Sequence, residues 1–147
     1  MRSIWNPSDC RELDERVRRL TPEHAARWGR MSAAQMVVHL SSSLRMASGE
    51  LAVAPKHLPL RYPPLKQLAL YWLPIPKNLP TAPELIAGAP GEWASELRDL
   101  CAQLDAVVRR GPDGVAPIHP AFGRMTARGW GVLVYRHMDH HLRQFGA

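Results

Sequence analysis

An all-α fold, a four-helix bundle with a long proline-rich crossover between its second and third helices, is predicted by three observations on this chain of 147 residues. Four stretches carry apolar residues at the three- and four-residue spacing of a helix face. No stretch of useful length alternates with the two-residue period of a strand, and no internal repeat is present. Eight of the 14 prolines fall between Pro55 and Pro83, which forbids a long helix there and leaves two helical stretches on either side. The length suits one domain spanning residues 1–147.

The first helix opens at Asn6-Pro7, a side-chain cap followed by proline at the first helical position, and places Leu13, Val17 and Leu20 on one face. Thr21-Pro22-Glu23 is a second, short helical signal. Ser32-Ala33-Ala34-Gln35 reads as a capping box with Met31 and Met36 as its hydrophobic staple, so a helix is expected from about Ala33 to Ser48, ending at Gly49. In the crossover only a short helical turn is expected, around Leu65 to Trp72. Tyr62, Leu65, Leu68, Leu70, Tyr71, Trp72 and Leu73 are too apolar for a disordered linker and should lie against the helices. Trp93, Leu97, Leu100, Cys101, Leu104, Val107 and Val108 fall within about 120° of a helical wheel, the width of a core-facing stripe, and this third helix stops at Gly111-Pro112. The fourth starts near Thr126 and runs almost to the end of the sequence, with Trp130, Leu133 and Val134 opening its inner face. Gly129 and Gly131 weaken its first turns, and only close packing against a neighbour would account for them.

Composition narrows the function. Apolar residues make up 46% and charged residues 22%, near the average for a globular protein, which argues against wholesale disorder and fibrous repeats. No apolar run approaches the roughly 20 residues of a bilayer span, and residues 1–10 lack the apolar stretch of a signal peptide, so a cytoplasmic protein with no membrane partner is expected. Cys10 and Cys101 are too few for a disulfide scaffold or a thiolate zinc site and are expected to be reduced. The net charge of +6 would permit nucleic-acid binding, yet the arginines are spread from Arg2 to Arg143 with no dense run and no interleaved aromatics. That is the pattern of solvated helix faces, and nucleic acid is not expected as a partner.

The chemistry lies in the histidines. Of the seven, three cluster in His137-Met138-Asp139-His140-His141. His137 and His141 are four apart, which puts their Cβ atoms about 5–6 Å from each other on one helix face. Trp130, Val134 and Gln144 lie within about 60° of His137 on the same wheel, so the pair continues the apolar stripe inward. Two imidazoles turned into a core need partners for their ring nitrogens and repel each other if protonated; a metal ion answers both requirements, and a pair satisfied by the backbone or by each other is the alternative. His140 is about 100° from His141 and fits the same ion less well, while Asp139, about 160° from His137, points outward. A third ligand must come from another helix. His39 is the candidate, mid-helix and beside Gln35, Ser43 and Met46, although a histidine at the margin of an apolar face is, taken alone, more often a satisfied structural residue. His119, in the loop before the last helix, is the residue best placed to add a fourth ligand. Three histidines without a fourth leave coordination positions for water or substrate, as in catalytic metal sites.

The mid-helix Met36-Val37-Val38-His39-Leu40 and the C-terminal run from Tyr135 to Gly146 resemble the DinB/YfiT-like superfamily of metal-dependent helical proteins. Trp28-Gly29-Arg30-Met31-Ser32 and His119-Pro120-Ala121-Phe122-Gly123-Arg124-Met125-Thr126 are similar to stretches of a DinB-like branch of unassigned function. The resemblance covers nearly the whole chain. It implies a four-helix bundle holding a divalent metal, nickel or zinc, on one histidine of the second helix and an i,i+4 pair of the fourth, here His39, His137 and His141. It also implies a small-molecule substrate, with thiol transfer to or from a low-molecular-weight thiol among the family's activities.

Two readings follow. In the first, a metal-dependent transferase or hydrolase, the ion supplies a nucleophile at neutral pH by lowering the pKa of water or a thiol. No carboxylate falls on the inner faces of the second and fourth helices, so a general base would have to be His140 or His119. In the second, a non-catalytic metal-containing bundle acts as a binding or dimerisation module. A homodimer is expected in either case, because helix faces and an apolar crossover leave surface that one small core does not cover.

Overall fold

A computed structural model describes residues 1–79, 82–86, 88–116 and 118–147. It is mostly helical, with α1 (Pro7–Arg18), α2 (Ala33–Ala47), the short α3 (Leu65–Gln67), α4 (Trp93–Arg110) and α5 (Ala127–Gln144), and one two-stranded antiparallel sheet of β1 (Ile118–His119) and β2 (Gly123–Arg124). No helix among the described residues is long and apolar enough to cross a membrane.

The helix ends follow from local chemistry. Asn6 caps α1 by accepting the Ser8 N–H, and Pro7 takes the first helical position. Ser32 and Gln35 form both halves of the capping box of α2: the Ser32 hydroxyl accepts the Gln35 N–H, and the Gln35 side chain accepts the Ser32 N–H. This helix stops at Gly49, whose φ of +80° lies in the left-handed region glycine enters at little penalty. Thr126 caps α5 by accepting the Gly129 N–H. At Thr21-Pro22-Glu23 the expected short helix is a turn instead, in which Thr21 gives its N–H to the His24 ring.

α1 packs on α4 and α5, and α2 packs on the same two helices. Their shared core contains Leu13, Val17, Met36, Leu40, Leu44, Leu100, Leu104, Trp130, Met138 and Leu142. Each such side chain contributes about 1.5–3 kcal/mol by leaving water. Polar ties flank the core: Arg45 donates to both carboxylate oxygens of Asp99 across α2 and α4, at 2.7 and 2.8 Å. Buried Arg16 on α1 reaches Asp139 on α5 at 2.8 Å.

Gly131 is explained by a crossing segment. The chain before α1 lies over the first turns of α5, with the Ile4 N–H donating to the Gly131 carbonyl at 3.1 Å and the Trp5 indole N–H to the Ala127 carbonyl at 2.7 Å. A Cβ at Gly131 would overlap the Trp5 ring and the Ser3 hydroxyl. Gly129 serves a milder version of the same need, since a Cβ there would press on Met125 and Thr126 at 3.2 and 3.3 Å.

The crossover is less buried than its composition suggests. α3 runs into a single wide turn over Leu68–Trp72. Leu70 is 2% exposed, but Trp72 is 74% exposed, and Tyr62, Leu65, Leu68 and Leu73 are exposed as well. The segment is held chiefly by hydrogen bonds: the Arg136 guanidinium on α5 donates to the carbonyls of Ala69, Leu70 and Leu73, groups left unpaired at the end of the wide turn. Pro80 and Thr81 of the expected crossover lie outside the described residues.

Candidate metal centre

His39 stands in the middle of α2, and His137 and His141 stand one turn apart on α5, the helix packed beside it. Their rings meet edge to face, with centroids 5.1 Å apart for His39 and His137, 4.9 Å for His39 and His141, and 4.7 Å for His137 and His141. One ring nitrogen from each lies within 4.8 Å of the other two, a set that could hold a metal ion.

The hydrogen bonds on the far sides of the rings decide which nitrogens are available. His39 Nδ1 donates to the Leu85 carbonyl at 2.9 Å, and a carbonyl can only accept, so the proton is on Nδ1 and Nε2 carries a lone pair. His141 Nδ1 is 2.8 Å from the Gln144 Oε1, and Gln144 Nε2 donates to the Trp28 carbonyl at 2.6 Å. That second bond turns the amide oxygen toward His141, so His141 too has its proton on Nδ1 and a lone pair on Nε2. Both lone pairs face His137 Nε2, each at 3.2 Å. One N–H on His137 satisfies at most one of them.

The three Nε2 atoms therefore hold at most one proton among them, one too few for both contacts, and burial opposes adding another. Burial holds the His39 pKa below the usual histidine range, against the opposing pull of the Leu85 carbonyl. Burial, followed by His39, pushes His141 down to about 3, and burial with His141 and His39 pushes His137 far down. Imidazole nitrogens about 2.0–2.1 Å from one tetrahedral ion are themselves about 3.3–3.4 Å apart, close to the 3.2 Å separations here. The residues fit a cation bound by three neutral imidazoles, and the bonds to Leu85 and Gln144 supply the outer hydrogen bonds that orient such ligands.

The other candidates lie elsewhere. The His140 ring is edge-on to Trp28, with centroids 5.5 Å apart, and outside the three-nitrogen group. Asp139 lies away from the three histidines but does not face solvent as expected: it turns onto α1, where it binds buried Arg16, and it also pairs with Arg143 at 3.1 Å. His119 sits in the β1–β2 hairpin with its ring against Phe122 and Trp130, at 5.0 and 5.1 Å between centroids. It is not in the metal-ligand group. Its Nδ1 accepts the N–H groups of Ala121 and Phe122, at 3.0 and 3.2 Å. Burial, followed by the nearby Lys66 charge, lowers its pKa to about 4.

All three histidines line a cavity of about 1380 Å³. Gln35, Ser43 and Met46 of α2 line it as well, together with Leu73, Pro74, Ile75, Pro76, Leu79, Leu85 and Ile86 of the crossover. His119 and His140 are on its wall, and no aspartate or glutamate is among its described lining residues. Sequence reasoning missed the Leu85 carbonyl and the partnership of Gln144 with His141. The second had a signal, since residues three apart on a helix are neighbours.

The family model of the DinB superfamily matches residues 9–145. No curated protein and no solved structure matches the chain.

Proposed function

The chain belongs to the DinB superfamily, and from that premise we propose that it is a metal-dependent enzyme acting on a small molecule, with His39, His137 and His141 as the ligands of one divalent ion. The observation that carries this reading is the convergence of three neutral imidazole nitrogens, two with fixed lone pairs, in the wall of a large cavity. Nickel or zinc suits an all-imidazole donor set. Bound there, the ion supplies Lewis-acid chemistry and activates water or a thiol at neutral pH.

The residues around it have definable tasks. Leu85 and Gln144 hold His39 and His141 in the tautomer that ligation needs. Gln35 and Ser43 offer polar groups within a mostly apolar cavity, and the crossover contributes further lining beside α2 and α5. Absence of a carboxylate from the described lining favours a reaction whose nucleophile needs no separate base, thiol transfer from a low-molecular-weight thiol or metal-assisted hydrolysis. In this reading the four long helices form a single four-helix-bundle domain over residues 1–147. The protein is cytoplasmic and a homodimer, with the exposed apolar residues of the crossover supporting the last point.

Cobalt substitution tests the enzyme reading. Cobalt-loaded protein should show visible bands that shift when azide is added, because three protein ligands leave room for a fourth from solution. Bands indifferent to azide at every concentration would mean a closed site and favour the non-catalytic binding module.

A further inference from the structure

His119 is fixed in one tautomer by the backbone. Two N–H groups, from Ala121 and Phe122, point at its Nδ1, so a neutral ring carries its proton on Nε2. Its lowered pKa keeps the ring neutral at physiological pH. Among the described residues Nε2 has no hydrogen-bond partner, and it is not among the enclosed unpartnered atoms, of which Ser41 Oγ alone is found. The ring is held between Phe122 and Trp130 on the wall of the same cavity as the three clustered histidines. A side chain so held can donate one hydrogen bond into the cavity and cannot accept a proton at either nitrogen without breaking the turn. The general-base role open to it from sequence does not suit this geometry.

Its contact with α5 lies nearer the start of that helix than the clustered pair does. Trp130, which the His119 ring touches, precedes His137 by seven residues on α5, about 10 Å of helical rise. Leu133 and Val134 lie between them in sequence and line the cavity. The cavity therefore runs from the clustered imidazole nitrogens past an apolar stretch to the His119 ring, with Lys56, Asn78 and Arg136 among its other polar lining residues.

We propose that His119 is a substrate-binding residue whose Nε2–H holds a carbonyl or carboxylate oxygen at the end of an elongated, apolar-centred substrate, the other end of which sits at His39, His137 and His141. This rests on the reading of those three residues as a metal site. Lys56, whose backbone N–H donates to the Pro120 carbonyl at 2.9 Å and which lines the cavity, makes the His119 end suited to a carboxylate.

Isothermal titration of the zinc-loaded full chain tests it with monohydroxamates of the dicarboxylic acids from glutaric to suberic. Their terminal amides and the chain-matched alkyl hydroxamates, which end in methyl, complete the set. At the best-fitting length the acid-ended probe should bind about tenfold or more tighter than the methyl-ended one. His119→Phe should erase that advantage while leaving methyl-ended affinity within about twofold, and His119→Gln, which keeps a donor, should retain part of it. An equal gain with the amide identifies a carbonyl acceptor, and a gain with the acid alone a carboxylate; both support the proposal. No advantage at any length, or one that survives His119→Phe, overturns it. Failure of the chain to take up zinc would instead remove the metal reading, and this proposal with it. Nitrogen NMR of the wild-type chain gives a check that needs neither metal nor variant: His119 should show protonated Nε2 and bare Nδ1, and the opposite tautomer contradicts the proposal.

Discussion

At the scale of single residues the chemistry turns on protons. Gln144 holds His141 through its side-chain oxygen, so Gln144→Ala should leave metal affinity about 10–100-fold weaker in chelator competition, while Gln144→Glu should retain most of it. Unchanged affinity in the alanine variant would mean that Gln144 does not orient the ring. Acid provides a second test. His119 and His141 have folded-state pKa values of about 4 and about 3, below the roughly 6.5 of an unfolded histidine. The unfolded chain therefore binds protons first, and metal-free stability should be full above about pH 6.5 and fall on acidification toward pH 4, by up to about 1.4 kcal/mol per pH unit for each such group. Denaturant titrations at pH 7.5, 6 and 5 should show the fall, with a shallower one in His119→Gln; stability flat across this range would contradict buried neutral rings. His39, His137 and His141 were legible in the sequence because helical periodicity alone assigns residues to faces. The Leu85 carbonyl was not, since every residue carries one and only the path of the chain selects it. The His119 tautomer was hidden for the same reason, being set by N–H groups of its own turn.

At the scale of elements, what was legible is what is local. Asn6-Pro7 and Ser32-Ala33-Ala34-Gln35 set their helix starts through contacts within three residues, and the structure shows both caps. Gly131 could be noticed but not explained, because its reason is a segment more than a hundred residues earlier. Replacing it with alanine tests that reason. Helix propensity alone would gain about 1 kcal/mol, whereas collision with Trp5 and Ser3 should cost about 1–3 kcal/mol, so Gly131→Ala should lower the denaturant midpoint. A raised midpoint would contradict the close crossing. The crossover was misjudged differently: proline content excludes long helices but does not say which residues become buried, and hydrogen bonds from Arg136 do part of the work expected of Tyr62 and Trp72.

At the scale of the whole molecule, folding brings α2 and α5 together and so assembles the three-histidine group proposed as a cation site, which neither helix holds alone. A ligand that binds only the folded state stabilises it, by about 2.7 kcal/mol at a free concentration 100 times its dissociation constant. Zinc or nickel should therefore raise the melting temperature of the wild-type chain and leave that of His137→Ala unmoved. Light scattering should give about twice the 16.5 kDa of one chain, and 16.5 kDa across a wide concentration range would remove the dimer. The most direct measurement is the metal content of protein purified without a nickel column, for the wild type and for single alanine variants at His39, His137, His141 and His140. A three-histidine metal site predicts one equivalent of divalent metal in the wild type and in His140→Ala, and none retained by His137→Ala. A wild-type chain that takes up no divalent metal, or a His137→Ala chain that keeps its full equivalent, would contradict it.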